Sequence, residues 1–246
     1  MIEYLIAIMI TAFGAALIDT ALGMCYGTIL TPVLLILGYP PQVVVPTVLF
    51  SQLVVDIVGG ATHTRVKNFT RKDVKTALLV AIPATTFVAF GAFSNLTMPK
   101  NITIIYIGLL VSFLGFLLII GKKFKRSARG LVGISALAGF NKGFMGGGFG
   151  PVIVSGQIVL NHEVRPAVSI GDIAEIPVCL VGLLSFLILG GISFMDIYLL
   201  VTIPAAIASI IGPLITAKLG NTEYAEKVVG FLTLILGLAV FFGVKA

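Results

Sequence analysis

Apolar residues run almost without interruption through ten stretches of the chain. They lie at about 4–20, 26–38, 42–61, 74–94 and 101–121, and again at about 129–145, 150–160, 165–190, 196–218 and 224–243. Stretches near 20 residues predict helices that cross a bilayer, and shorter ones predict broken or half-crossing segments. Each half reads as two short segments followed by three longer ones. The second set repeats the first: Gly23 and Gly27 match Gly146 and Gly150, Tyr26 matches Phe149, Gly59 matches Gly182 and Asp73 matches Asp196, all 123 positions apart. Further on, 80–84 (Val-Ala-Ile-Pro-Ala) resembles 201–205 (Val-Thr-Ile-Pro-Ala), with the offset moving by one or two. Such self-similarity marks an internal duplication, with a first membrane repeat at 1–121, a basic linker at 122–128 and a second repeat at 129–246.

Composition narrows the class. The 246 residues are 58% hydrophobic and 11% charged, with a mean hydropathy of +1.14, which excludes a soluble domain and predicts a polytopic membrane protein. The net charge of +6 does not point to nucleic acid, because the cations are gathered in two short loops. Arg65, Lys67, Arg71, Lys72 and Lys75 share one; Lys122, Lys123, Lys125, Arg126 and Arg129 share the other. Such clusters place loops 63–75 and 121–129 on the cytoplasmic side of the cell (inner) membrane. The repeat counterpart of the first loop, 186–198, carries no Lys or Arg and is expected outside, so the two copies run in opposite senses across the bilayer. The fold expected is therefore all-α, two inverted repeats of about five helical segments each, with short glycine-rich helices at the centre that either re-enter or cross fully. Either arrangement leaves both chain ends outside.

Charges inside apolar helices cost roughly 2.5–3.5 kcal/mol on insertion scales and are functional candidates by default. Here they are Asp19, Asp56, Lys142, Asp172 and Glu175. The duplication organises them, since Asp19 is the repeat equivalent of Lys142 and Gln52 that of Glu175. Lys142 also sits in the most unusual stretch of the chain, 139–151, where Asn141 and Lys142 precede Gly146, Gly147, Gly148 and Phe149 and Pro151 follows. A triple glycine is a poor helix interior but lets a chain break and restart with its N–H groups exposed, and a helix start beside a lysine suits an anion. Asn141, Lys142 and the backbone of 146–149 are the expected substrate contacts, with Asp19 and Lys142 facing one cavity, either as a structural ion pair or as part of the site. The first copy reads Gly23-Met24-Cys25-Tyr26-Gly27 and has lost two glycines, so the pocket is expected to be asymmetric, with Cys25 either a wall or filler and Gln52 near the site. Asp172 and Glu175 share one helix face. Bare carboxylates repel an anion, so these two make sense as proton-coupling groups that carry a proton at some stage of a cycle.

Other signals are weak. Cys25 and Cys179 are isolated, without a C-x-x-C, and read as packing residues. His63 and His162 lack ligand spacing, so neither a metal nor a cofactor is expected, and no catalytic motif appears. Asn68-Phe-Thr, Asn95-Leu-Thr and Asn101-Ile-Thr match the glycosylation triplet only by pattern, and the first twenty residues read as a membrane segment and not a removed signal peptide.

With these residues in view, the chain resembles the sulfite-exporter and toluene-sulfonate-uptake family (TauE/SafE-like). The resemblance rests on 14–32 followed by Leu37-Gly38-Tyr39-Pro40-Pro41, and on 139–151 with its Asn-Lys-Gly and triple glycine. It implies a gradient-driven transporter of a small sulfur-containing anion such as sulfite, thiosulfate or an organosulfonate, whose partners are that anion and the lipid bilayer. The alternatives are a channel or uniporter on the same scaffold and, from another class, an intramembrane enzyme using Asp172 and Glu175 or Cys25.

Overall fold

The computed structural model describes residues 2–120, 127–160, 162–189 and 197–219, with scattered positions between 227 and 242. Among them there are only helices: α1 (Ile2–Leu22), α2 (Tyr26–Ile36), α3 (Pro41–Arg65), α4 (Val74–Thr97), α5 (Lys100–Ile120), α6 (Ala128–Met145), α7 (Phe149–Val159), α8 (Val164–Ile188) and α9 (Ile197–Leu219). Five spans are long and apolar enough to cross a membrane: Tyr4–Leu22, Pro41–Arg65, Val74–Thr97, Val164–Ile188 and Ile197–Lys218. The tenth apolar run, the counterpart 186–198 of the basic loop and the linker at 122–128 lie wholly or partly outside the described residues.

The helix lengths refine the sequence reading. The first segment of each half is not short: α1 has 21 residues and α6 has 18. Only α2 and α7 are, at 11 residues each. At 1.5 Å per residue they reach about 16 Å, roughly half a hydrocarbon core. α6 and α7 fold back on each other, since Gly130 near the start of α6 faces Leu160 just past α7, and Gly156 faces Ile134.

The turn between α1 and α2 and that between α6 and α7 have the same construction. Gly23 (φ 70) ends α1 and Gly146 (φ 74) ends α6, each with its N–H returned to the carbonyl four residues back, of Asp19 and of Lys142. Two positions on, Cys25 (φ 106) and Gly148 (φ 80) take the left-handed region again. Glycine occupies it freely and cysteine does not, so the first break is the more strained of the two.

These two breaks press against each other. A Cβ on Gly27 would collide with the Gly146 carbonyl, one on Gly150 with the Gly23 carbonyl, and one on Gly147 would lie 2.5 Å from the Gly27 carbonyl carbon. Thr31 Oγ1 donates to the Met145 carbonyl at 3.0 Å, and the Gly148 N–H donates to Thr28 Oγ1 at 3.1 Å. Backbone therefore meets backbone at the centre, and glycine is required there by contact as well as by φ.

Around this crossing each half leans on the other. α6 lies along α4, with Gly139 on Ala84 and Gly143 on Val88, while α1 lies along α9, with Gly212 on Thr20 and Thr216 Oγ1 donating to the Ala21 carbonyl at 2.8 Å. Small residues let these backbones approach closely. Pro46, Pro83, Pro177, Pro204 and Pro213 lie inside the long helices, as the apolar pattern predicts. The outer faces carry Ile10, Ile82, Phe90, Ile188 and Leu199, all strongly exposed, as lipid-facing surfaces require.

The crossing yields a stability prediction. Gly147→Val should lower the melting temperature of the detergent-solubilised protein by roughly 5–10 °C through overpacking. Gly133→Ala, where nothing lies within 4 Å of the added atom, should leave it unchanged in the same scan.

Candidate functional site

The polar residues singled out in the sequence converge beside the crossing, from the last turns of α1 and α6 and the middles of α3 and α8. All are buried, Lys142 to 1% exposure and Glu175 to 4%. Asp19 accepts from the Tyr26 N–H at 3.2 Å through Oδ1 and from Gln52 Nε2 at 2.8 Å through Oδ2. The carboxylate thus serves the start of α2, where free N–H groups and the helix dipole favour negative charge. Gln52 Nε2 also donates to Asp56 Oδ1 at 2.6 Å, and the thiol of Cys179 donates to Asp56 Oδ2 at 3.7 Å. In the second half, Lys142 Nζ pairs with Glu175 Oε1 at 2.6 Å.

A pattern connects these contacts. Asp56 and Cys179 are 123 positions apart, the repeat offset itself, so equivalent positions of the two halves touch. The bond of Asp19 with Gln52 and the pair of Lys142 with Glu175 are one contact made twice with different chemistry. An ion pair of Asp19 with Lys142, one of the two arrangements expected from the sequence, is not what forms: each bonds within its own half. Asp172 and Glu175 do share a face of α8, but they part company in their partners. Asp172 Oδ2 lies 3.1 Å from His63 Nε2.

Asn141 accepts from Tyr106 OH at 2.6 Å through Oδ1, while its buried Nδ2 has no hydrogen-bond partner. Cys25, buried at the start of α2, occupies the position that Gly148 holds at the start of α7. Asp56, Glu175 and Cys179 bring one ligand-type atom each within 4.8 Å. Lys142 already places a fixed cation on Glu175, and Gln52 and Cys179 both donate to Asp56, so the donor set suits a hydrogen-bonded acid cluster better than a metal ion. A groove of about 470 Å³ between α4 and α6, lined by Leu78, Ile82, Pro83 and Val132 among others, contains none of these residues.

Four participants had no role assigned from the sequence. Asp56 was visible as an intramembrane charge, and its equivalence to Cys179 was the signal for its central place. His63 stands seven residues, two helical turns, beyond Asp56 on α3, a spacing that puts both on one face. Asn68 and Arg165 gave no signal, because their roles depend on a contact between positions 97 apart.

Four carboxyl side chains and one lysine in a buried cluster make the lysine's pairing costly to break. Removing one partner of a buried ion pair costs about 3–5 kcal/mol, whereas replacing both is often nearly neutral. Lys142→Met should therefore lower the melting temperature by roughly 10 °C or more, and Lys142→Met combined with Glu175→Gln should recover most of that loss in the same assay.

The family model for the sulfite exporter TauE/SafE matches residues 8–240. No curated protein and no solved structure matches the chain. With nearly the whole length matched, and with helices built to cross a bilayer around a buried polar centre, the chain belongs to the TauE/SafE sulfite exporter family of multi-pass membrane transporters.

Proposed function

We propose that the protein is a secondary transporter of a small sulfur-containing anion, of the sulfite, thiosulfate or organosulfonate class. It is built as two inverted repeats, with α2 and α7 as re-entrant helices, and it is coupled to protons through Asp172 and Glu175. The loop carrying Arg71, Lys72 and Lys75 faces the cytoplasm of the cell (inner) membrane, following the positive-inside rule. The fold-back of α7 on α6 and the contact of Asp56 with Cys179 support this arrangement, because equivalent positions meet only at an axis relating the halves.

One observation carries the substrate reading. The position that delivers a carboxylate to the start of α2 in the first repeat, Asp19, is occupied in the second by Lys142, in the last turn of α6 ahead of α7. The first half supplies its own anion; the second supplies a cation and a helix start, the pairing that receives one. Asn141 adds an unpartnered buried donor, and Gly146, Gly147, Gly148 and Phe149 supply backbone that can approach closely. Asp19, Gln52 and Cys25 form the opposite wall. Glu175 occupies Lys142, so a proton on Glu175 releases the lysine for substrate and links the two movements. Asp172, three residues away, hands that proton on. A lysine in hydrocarbon surroundings adds a point charge without the planar fork that selects carboxylates, which suits compact tetrahedral or pyramidal oxyanions.

Thermal stability of purified protein with sulfite, sulfate, thiosulfate, taurine and sulfoacetate tests this reading. A ligand at a hundred times its dissociation constant stabilises by about 2.7 kcal/mol, a rise of roughly 5–10 °C. The expected result is such a rise with one sulfur oxyanion in the wild type and none in Lys142→Gln combined with Glu175→Gln, the variant chosen to keep its fold. An equal rise in that variant would move the site elsewhere. Sulfite flux indifferent to a proton gradient would make the protein a uniporter.

A further inference from the structure

His63 is fully buried in the last turns of α3, with a complete and directional set of partners. Arg165 Nε, which can only donate, lies 2.6 Å from Asn68 Oδ1. That bond fixes the Asn68 amide, so Nδ2 is the end facing His63 Nδ1 at 2.8 Å and the Pro213 carbonyl at 2.9 Å. An amide N–H directed at Nδ1 requires a lone pair there. The ring is therefore neutral and carries its proton on Nε2, 3.1 Å from the Thr20 carbonyl and 3.1 Å from Asp172 Oδ2. The hydrogen points at Thr20, which leaves Asp172 Oδ2 adjacent but without an aligned donor.

The groups facing this imidazole can be named element by element. α8 contributes Asp172, and Arg165 through Asn68. α3 itself carries Asp56 two turns back, and α1 presents the Thr20 carbonyl beside Asp19. α9 offers the Pro213 carbonyl, and Thr216 Oγ1 shares the Thr20 carbonyl at 3.1 Å. Asn68 is further held by Ser169 Oγ donating to its carbonyl at 2.9 Å, and Arg165 also donates to the Val66 carbonyl at 3.1 Å. The whole assembly lies between the basic loop and the acid cluster. At the opposite end of the protein the repeat equivalent of His63 is Phe186, buried with Val45, Leu49 and Ala92. Of this pair of equivalent positions, the first carries a titratable side chain and the second an apolar one.

We propose that His63 is the proton relay between the basic-loop side of the protein and Asp172, and that Asn68, clamped by Arg165, is the latch that opens and closes it. A proton arriving from the cytoplasm must land on Nδ1, which the Asn68 amide covers. Turning the amide over would let Oδ1 accept from a protonated Nδ1, but would set Nδ2–H against Arg165 Nε–H, donor against donor. Asn68 therefore serves a charged imidazole only after leaving Arg165. With Nδ1 protonated the ring is a cation; passing the Nε2 proton to Asp172 Oδ2 leaves a neutral ring with its proton on Nδ1, and the Nε2–H tautomer is restored when water takes the Nδ1 proton and supplies one to Nε2. The net event is one proton taken from the loop side and one delivered to Asp172, with no other group changed.

The relay rests on the proton-coupled reading above, and two measurements separate their failures. The chain has two histidines, so a His162→Gln background leaves His63 as the one ¹⁵N-histidine signal of the protein in nanodiscs. The expected spectrum is the neutral Nε2–H tautomer, with an Nδ1–H population appearing in Arg165→Ala, where the released Asn68 amide can turn over. An Nδ1–H tautomer with Arg165 in place, or no change in Arg165→Ala, would overturn the latch whatever the substrate. In proteoliposomes loaded with a pH dye, a sulfite gradient should drive proton flux in the wild type and at least tenfold less in His63→Gln, whose amide can repeat the ring's hydrogen bonds but cannot pass a proton. Sulfite should still stabilise that variant thermally. Wild-type flux in His63→Gln would overturn the relay. Absence of sulfite-driven flux in the wild type together with an intact tautomer shift would instead refute the substrate assignment and leave the latch standing.

Discussion

The structure depends on backbone lying against backbone where the two chain breaks cross. Gly23, Gly27, Gly146, Gly147 and Gly150 allow main-chain atoms of one half to touch main-chain atoms of the other. That contact fixes how far α1 and α6 extend before they turn, and so the depth at which Asp19 and Lys142 sit, one last turn before each break. In an apolar medium, freed N–H and C=O groups must find partners inside the protein. Thr28 and Thr31 supply two of them across the crossing, and the Asp19 carboxylate supplies a third to the Tyr26 N–H. The polar centre is partly a consequence of breaking helices there.

From that geometry the asymmetry of the halves follows. The same contact between the end of the first helix and the middle of the third is an acid with an amide in one repeat and a cation with an acid in the other. The pseudo-equivalent positions Asp56 and Cys179 meet, the thiol donating to the carboxylate. At matched positions one side carries a carboxylate bonded to its own helix start, and the other a buried pair of Lys142 with Glu175.

Much of this was legible in the sequence because charge in an apolar run is costly and therefore rare. Five such residues and one offset were enough to locate the centre and pair Asp19 with Lys142 as equivalents. What could not be read was which neighbour each would choose. Asp56 and Cys179 touch each other, whereas Asp19 and Lys142 bond to Gln52 and Glu175, a choice that spacing does not encode. The first segment of each half was grouped with the short one after it, although the apolar runs 4–20 and 129–145 nearly match the helices seen, Ile2–Leu22 and Ala128–Met145. His63 looked inert because its partners, from Asn68 to Arg165 and Pro213, come together only in the folded chain.

The embrace between halves also sets an order of assembly. α1 leaves the ribosome long before α9, and its last turn packs against Thr216, 196 residues after Thr20. At about 5–20 residues per second, α1 waits on the order of 10–40 s in the membrane before its neighbour exists. During that interval Asp19 lacks the enclosure that tolerates it, so the nascent first half is an unfinished object that must be kept from lipid or from other chains until α9 has been made.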